Sequence, residues 1–310
     1  MTAPLPLIID CDPGIDDAVM LMMALGSPRF DVRAITTVAG NVPLRLTSRN
    51  ARMMGELMGR PDIPVFAGCP RPMLRPPVTA EDFHGESGIY GIDVFEPKAP
   101  LQPSHAVDAL IRLLKAAPHK GMTLVVTGPM TNLACALVMA PEIAAHIREI
   151  VIMGGADTEG GNITPFAEFN IFADPHAAAI VLETGLPATI LSLDATHQVR
   201  ATQARIDRLA QIPGPRAAMM ASLLTAANNL ETRARPGTKV PMHDPSTIAW
   251  LLAPEMFETV NARVTVTTRP GKEFGRTKVR PMKTGPHRWV TKANADAFFA
   301  RIEDILRIAP

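Results

Sequence analysis

An open, mostly parallel α/β sheet with helices on both faces, in one large domain over residues 1–310, is the architecture this sequence predicts. Three observations carry it. Short apolar runs at residues 5–9, 32–38, 65–67, 123–126, 149–153 and 189–193 have the length of buried strands. Helical segments separate most of them, and β-α-β-α-β order calls for parallel strands with right-handed crossovers. Acidic and amide residues gather where the runs end, the edge at which open α/β sheets bind ligands.

Taken in order, the first strand runs over residues 5–9, and Pro13-Gly14 break it before a helix at 18–25. After the second strand, Ala39-Gly40-Asn41 form a turn, and Thr47 is expected to cap a helix reaching residue 59. Residues 69–81 are proline-rich without periodicity, and His84-Gly85-Glu86-Ser87-Gly88 is too glycine-rich for a helix. The whole stretch 71–90 reads as a mobile functional loop. Ser104 and Thr131 are expected to cap helices reaching residues 117 and 139. Residues 160–170 are a polar loop, and Asp174-Pro175 open a helix with Asp as cap and Pro at the first position. The strand at 189–193 ends in Asp194. Segments 202–211 and 216–230 read as helices, and 200–245 as a helical part above the site. A helix at 246–252, an antiparallel strand pair at 260–267 and 277–282, and an amphipathic helix at 293–308 complete the chain.

At 310 residues, the chain can bury roughly three quarters of its unfolded surface. Hydrophobic residues at 47% and charged ones at 20% describe a globular protein. A net charge of +1 offers no electrostatic basis for binding nucleic acid or a membrane. The opening Met-Thr-Ala-Pro-Leu-Pro has no signal-peptide pattern, and no apolar run is long enough to span a bilayer. Cys11, Cys69 and Cys135 have neither metal nor disulfide spacing, so a cytoplasmic location is expected. Cys11 reads as a core residue.

The chemistry concentrates in Ile8-Ile9-Asp10-Cys11-Asp12-Pro13-Gly14-Ile15-Asp16-Asp17. Four carboxylates this close repel one another, and burial raises their pKa values further. A hard divalent cation with oxygen ligands, Ca²⁺ or Mg²⁺, resolves the conflict. Alone, Asp16 could be a helix cap and Asp10 a solvated strand end. Together around one turn they point to a site. Asn41, Thr127, Asn162, Glu168, Asn170, His243 and Asp244 fall at other strand ends and loops. This inventory offers carboxylates for a metal and many hydrogen-bonding groups for a polyol, but little positive charge for a phosphate. A phosphohydrolase of the haloacid dehalogenase type also ends a strand in Asp-x-Asp. That type has Thr or Val where Gly14 stands and lacks the later Asp-Asp pair.

The stretch closely resembles the amino-terminal signature of the nucleoside hydrolases, Asp-x-Asp-Pro-Gly-x-Asp-Asp. Ala34-Ile35-Thr36-Thr37-Val38-Ala39-Gly40-Asn41, His84-Gly85-Glu86-Ser87-Gly88, Thr127-Gly128-Pro129-Met130-Thr131-Asn132, Met153-Gly154-Gly155, Ala167-Glu168-Phe169-Asn170, Asp174-Pro175, Asp194-Ala195-Thr196-His197 and His243-Asp244-Pro245 continue the similarity in order. The resemblance implies a Rossmann-like α/β fold and Ca²⁺-dependent hydrolysis of ribonucleosides to ribose and free base in salvage, by a homodimer or homotetramer. A nucleoside- or sugar-binding protein of the same fold is the alternative. Carried over, Asp12, Asp17 and Asp244 would bind Ca²⁺ with the Thr127 carbonyl, and Asp10 would support them. Asp12 would also be the general base for the attacking water. Asp16, Asn41 and Asn170 would hold the 2′- and 3′-hydroxyls, Asn162 and Glu168 the 5′-hydroxyl. His243 and His84 are the candidates to protonate the leaving base. The family's tyrosines are missing from the helix before His243, where Thr225-Ala226-Ala227-Asn228-Asn229-Leu230-Glu231-Thr232 stands. Asn228 and Glu231 are the expected replacements at the base.

Overall fold

The computed structural model describes residues 3–81 and 85–308. Its central strand is β1 (Leu5–Cys11), in which Leu7 to Cys11 are all buried. A strand covered on both faces needs a continuous apolar run, and Leu-Pro-Leu-Ile-Ile supplies it. Successive side chains alternate between faces. Leu7, Ile9 and Cys11 enter one core cluster, and Ile8 enters the other.

β1 pairs in parallel with β2 (Phe30–Thr37) on one side and β5 (Met122–Val126) on the other. Beyond β2 lie β3 (Val65–Ala67) and the two-residue β4 (Leu101–Gln102), both parallel. Beyond β5 lie β6 (Ile147–Met153) and β7 (Ala188–Leu191), also parallel. Then come β10 (His287–Ala293), β8 (Phe257–Val266) and β9 (Thr277–Pro281). The order β4-β3-β2-β1-β5-β6-β7-β10-β8-β9 forms one ten-stranded sheet. The chain winds outward from β1 to β4, then returns to the other side of β1 as β5. The loops leaving β1 and β5 therefore diverge and open a crevice at their carboxyl ends.

One layer of helices packs on the Leu7–Ile9 face: α1 (Ile15–Gly26), α2 (Leu44–Leu57), and the later α8 (Gln203–Ala210), α9 (Pro215–Ala234), α10 (Pro245–Leu252) and α11 (Ala295–Ile308). The other face carries α3 (Ala106–Ala116), α4 (Thr131–Met139) and α6 (Pro175–Glu183). Two short helices, α5 (Phe169–Ala173) and α7 (Leu193–Thr196), sit in the loops after β6 and β7. No helix of the described residues is long and apolar enough to cross a membrane.

The expected antiparallel pair is β8 and β9. β10 was not anticipated. It runs parallel to β7 and antiparallel to β8, and so joins that pair to the parallel sheet. Its burial does not alternate cleanly, so its sequence lacks the two-residue signature. Three expected caps are corrected. The helix assigned to Thr47 starts at Leu44, and the Thr47 hydroxyl donates to the Val38 carbonyl at 3.0 Å instead. His105, not Ser104, caps α3, its ring accepting from the Val107 amide. Thr131 lies inside α4 and donates its hydroxyl to Asp174 Oδ2 at 2.7 Å. β7 ends at Leu191, and Asp194 falls in the first turn of α7 rather than at a strand end.

Asp174 caps α6 as expected, accepting from the Ala177 amide at 3.1 Å. It also accepts from the Met73 amide at 2.8 Å and is fully buried. One carboxylate thus ties the proline-rich loop, α4 and α6 together. Asp174→Ala leaves those donors without partners and should cost about 2–4 kcal/mol of stability. Asp174→Asn should cost less, and urea midpoints of the two variants check the order.

Candidate active site

The crevice beside β1 holds a cleft of about 260 Å³. Its walls include Asp16, Asn41, Thr127, Asn162, Glu168, Asn170, Glu231, His243 and Asp244. Residues from six separate stretches of the chain therefore converge on one volume. Asn228 does not face it.

Asp12 is fully buried just past β1. Its Oδ2 accepts from the Asn41 amide at 2.7 Å, while Oδ1 is buried without a hydrogen-bond partner. Two glycines make room for this carboxylate. A methyl group on Gly40 would collide with Asp12 Oδ2, and one on Gly128 would lie 2.8 Å from Oδ1. Only the bare backbone of the Ala-Gly-Asn and Thr-Gly-Pro turns can approach so closely.

Asp16 and Asp17 occupy the first turn of α1, where the helix dipole favours negative charge. Asp17 accepts from the Gly14 amide at 3.0 Å, the Thr127 hydroxyl at 2.8 Å and the Asn41 side-chain amide at 3.2 Å. Asp244, at the start of α10, brings a third carboxylate. Ligand oxygens of Asp16, Asp17 and Asp244 all lie within 4.8 Å of one another. Asp16, expected at the sugar hydroxyls, thus also stands in the tightest carboxylate group. Asp16 Oδ1 is buried and unpartnered, like Asp12 Oδ1.

Burial, and then the charge of Asp17, push the Asp12 carboxyl well above its ordinary range. Burial and then Asp16 do the same to Asp244. Asp17 is pushed up to about 7 by burial and by Asp16, against the pull of its hydrogen bonds. Crowded, desolvated carboxylates with unsatisfied oxygens are the donor set a hard divalent cation requires, and the residues present fit one.

Asp10 is turned to Thr36 and Asn132 instead. Its Oδ1 accepts from Thr36 at 2.6 Å and from Asn132 Nδ2 at 2.8 Å. Burial raises it to about 6 against those two hydrogen bonds. Through Asn132, which also accepts from the Cys69 amide, Asp10 braces the ends of β2 and β3.

The far part of the cleft is edged by amides. Asn170 Nδ2 donates to the Thr127 carbonyl at 2.7 Å and to the Met153 carbonyl at 3.2 Å, which leaves Oδ1 to accept. Glu168 caps α5, accepting from the Asn170, Ile171 and Gly155 amides. Burial raises its carboxyl, more than these bonds lower it. Asn162 Oδ1 accepts from the Phe169 amide at 2.9 Å, leaving its NH₂ to donate.

At the other end, His243 Nδ1 meets the Thr196 hydroxyl at 2.8 Å, and its ring lies 5.6 Å from that of His197. His84 lies outside the described residues. Asn228 corrects an expectation: its amide donates to the Ala201 carbonyl at 2.6 Å, and its oxygen accepts from the Val240 amide at 2.8 Å. Both ends are occupied by backbone, so it fastens the wall behind the cleft. Glu231 does line the cleft, beside Arg235.

Sequence reasoning gave no role to Thr196, Arg235 or Asn50. Thr196 lies in a quoted motif but becomes meaningful only beside His243. Arg235 stands four residues after Glu231, a spacing that signals a helical ion pair, and the two are 3.6 Å apart. Asn50 donates to the Pro13 and Ser87 carbonyls, both at 2.9 Å, joining the acidic turn to the loop opposite. Nothing local announces it.

This arrangement suits cleavage of a bond to a polyol with help from a hard cation. A profile of the inosine-uridine preferring nucleoside hydrolases matches residues 7–300. The pyrimidine-specific ribonucleoside hydrolase RihA of Klebsiella pneumoniae is 44% identical over 276 residues, 89% of this chain and 88% of the relative. The purine-preferring ribonucleoside hydrolase from Gardnerella vaginalis superposes with a TM-score of 0.90 at 29% identity, covering 98% of this chain and 100% of that one. A plant nucleoside hydrolase gives 0.91 at 29% identity, covering 99% and 100%. The chain belongs to the inosine-uridine preferring nucleoside hydrolase family, whose members are N-glycosyl hydrolases.

Two outcomes follow from the geometry. Gly40→Ala displaces Asp12 and should lower kcat/KM for ribose release at least about 100-fold, with the circular dichroism spectrum unchanged. Activity within tenfold of wild type would show that Asp12 tolerates the shift. Cation binding should also depend on pH. In the cation-free protein, Asp17 is raised from 3.8 to about 7, so its protonated form favours folding. That contribution is complete below 3.8 and disappears as pH rises through about 7. A divalent cation replaces the lost protons, so its effect on Tm should grow from pH 5 to pH 8. Thermal unfolding with and without excess cation measures this.

Proposed function

We propose that this protein hydrolyses pyrimidine ribonucleosides to ribose and free base with Ca²⁺ as its cation, in nucleoside salvage. The observation that carries the reading is the group of buried carboxylates with unpartnered oxygens beside a cradle of amides and hydroxyl acceptors. Pyrimidine preference is supported by the 44% identity to a pyrimidine-specific relative. An all-oxygen donor set of carboxylates and the Thr127 carbonyl favours Ca²⁺, which accepts more ligands and looser geometry than Mg²⁺.

Asp12, Asp17, Asp244 and the Thr127 carbonyl hold the cation, with Asp16 in reach and Asp10 bracing the turn. When bound, the cation acidifies and orients the water and neutralises the crowded carboxylates. Asp16, Asn41 Oδ1 and Asn170 Oδ1 accept from the 2′- and 3′-hydroxyls. Asn162 donates to the 5′-oxygen, and Glu168 accepts its proton. Asp12 Oδ1 takes one proton from the attacking water, and the hydroxyl adds to C1′ as the C1′–N bond breaks. The ribose passes through oxocarbenium character, which the neighbouring carboxylates stabilise. The leaving base takes the bond's electron pair and a proton, supplied by His243 or His84. The Thr196 hydroxyl fixes the orientation of the His243 ring.

Ribose release from cytidine, uridine, inosine, guanosine and adenosine tests this. It should stop with a Ca²⁺-selective chelator and return with Ca²⁺, and far less with Mg²⁺. Equal rescue by Mg²⁺ would overturn the choice of cation. Asp12→Asn should lower kcat roughly 10²- to 10⁴-fold while ribose still binds measurably. A wild-type rate in that variant would sink Asp12 as the base.

A further inference from the structure

We propose that Glu231 selects the base, accepting a hydrogen bond from an exocyclic amino group, so that the site favours cytidine over uridine. The inference rests on the reading that the cleft holds a ribonucleoside with its ribose at the carboxylate group, which places the base against α9.

That wall is apolar except at Glu231 and its ion-pair partner Arg235. Leu224, Ala227, Glu231 and Ala234 line it from α9 at helical spacing, and Val240, Pro241 and Met242 line it from the following segment. Glu231 is only 3% exposed. Its Oε1 is held in place, accepting from the Thr238 hydroxyl at 3.0 Å, with Arg235 Nη1 at 3.6 Å as counter-charge. Among the described residues, the bonds to this carboxylate fall on Oε1, which leaves Oε2 to a ligand. With Arg235 drawn to Oε1, the other carboxylate oxygen can only accept, so it rewards a donor on the base and penalises an acceptor.

Cytosine presents an N4 amino donor where uracil presents the O4 acceptor. Adenine and hypoxanthine differ in the same sense, amino against oxo. The difference grows during reaction. As the C1′–N1 bond breaks, electron density moves into the base, and in uracil part of it reaches O4, facing Glu231. Discrimination therefore appears in kcat/KM and not in ground-state binding alone. A good base-edge contact of this kind is expected to separate the two substrates roughly 5- to 150-fold.

The test is competition between cytidine and uridine in one mixture with the calcium-loaded protein, following free cytosine and uracil. The product ratio is independent of the fraction of active enzyme, so partial unfolding of a variant cannot imitate the effect. Wild type should favour cytidine at least about fivefold. Glu231→Gln keeps the shape but adds a donor that can meet O4, and the ratio should fall towards one through faster uridine cleavage. A wild-type ratio near one, a preference for uridine, or an unchanged ratio in Glu231→Gln would overturn the role of Glu231 while leaving hydrolysis intact. No ribose from either nucleoside would instead overturn the reading of the cleft, and the selection with it.

Discussion

The structure depends on one electrostatic conflict: several carboxylates packed, nearly dry, at the carboxyl end of the central strand. Asp12 and Asp17 are fully buried, and Asp244 nearly so. Without compensation such a group is costly, since each charge loses its water and faces others of the same sign. The fold answers with fixed dipoles. Backbone amides of Gly14 and Asn41, the Thr127 hydroxyl and the amino end of α1 all aim at these oxygens. The remaining lone pairs stay open, and those are the ones a cation can use. Protons and cation compete for the same oxygens, so affinity, pH and stability are linked in one site.

Precision at Asp12 comes from backbone and not from side chains. Gly40 and Gly128 enclose it from two sides, and each belongs to a turn that ends a strand next to β1. Because β1 pairs with β2 and β5 in a fixed register, those two turns cannot shift independently. Behind them, Asp10, Asn132 and Thr36 form a hydrogen-bonded layer that joins the strand ends. Asn50 does the same from the other direction, tying the acidic turn to Ser87. The polar groups around the cleft are thus oriented by the protein's own hydrogen bonds, as electrostatic preorganisation requires.

The two ends of the cleft follow different rules. The end at Asp16, Asn41, Glu168 and Asn170 is dense in amides and carboxylates, and Asn41, Glu168 and Asn170 are also bonded to the protein. Arg235 is the one Lys or Arg among the lining residues described, and it is paired with Glu231. The end against α9 is apolar, with polarity among the described residues confined to Glu231, Arg235 and His243.

Much of this was legible in the chain. β1, β2, β3, β5, β6 and β7 are short apolar runs, and their alternation with helices gives a parallel sheet, whereas the two-residue β4 left no such signal. The acidic turn and the strand-end amides were readable as residue types at marked places. Asp174 was recognisable as a cap because Pro follows it. What the sequence could not settle were relations between distant segments. Whether Asn228 faces a ligand or the backbone of Ala201 depends on how α9 is rotated against residues 199–201 and 240, and no local pattern encodes that rotation. The pairing of Thr196 with His243 links residues 47 apart. β10 shows no clean alternation, so only its pairing with β7 and β8 in the assembled sheet reveals it as a strand. Local sequence determined which groups could do chemistry, because residue type and strand ends are local. The tertiary structure decided which of them meet, because that depends on register, helix rotation and the close approach that two glycines allow.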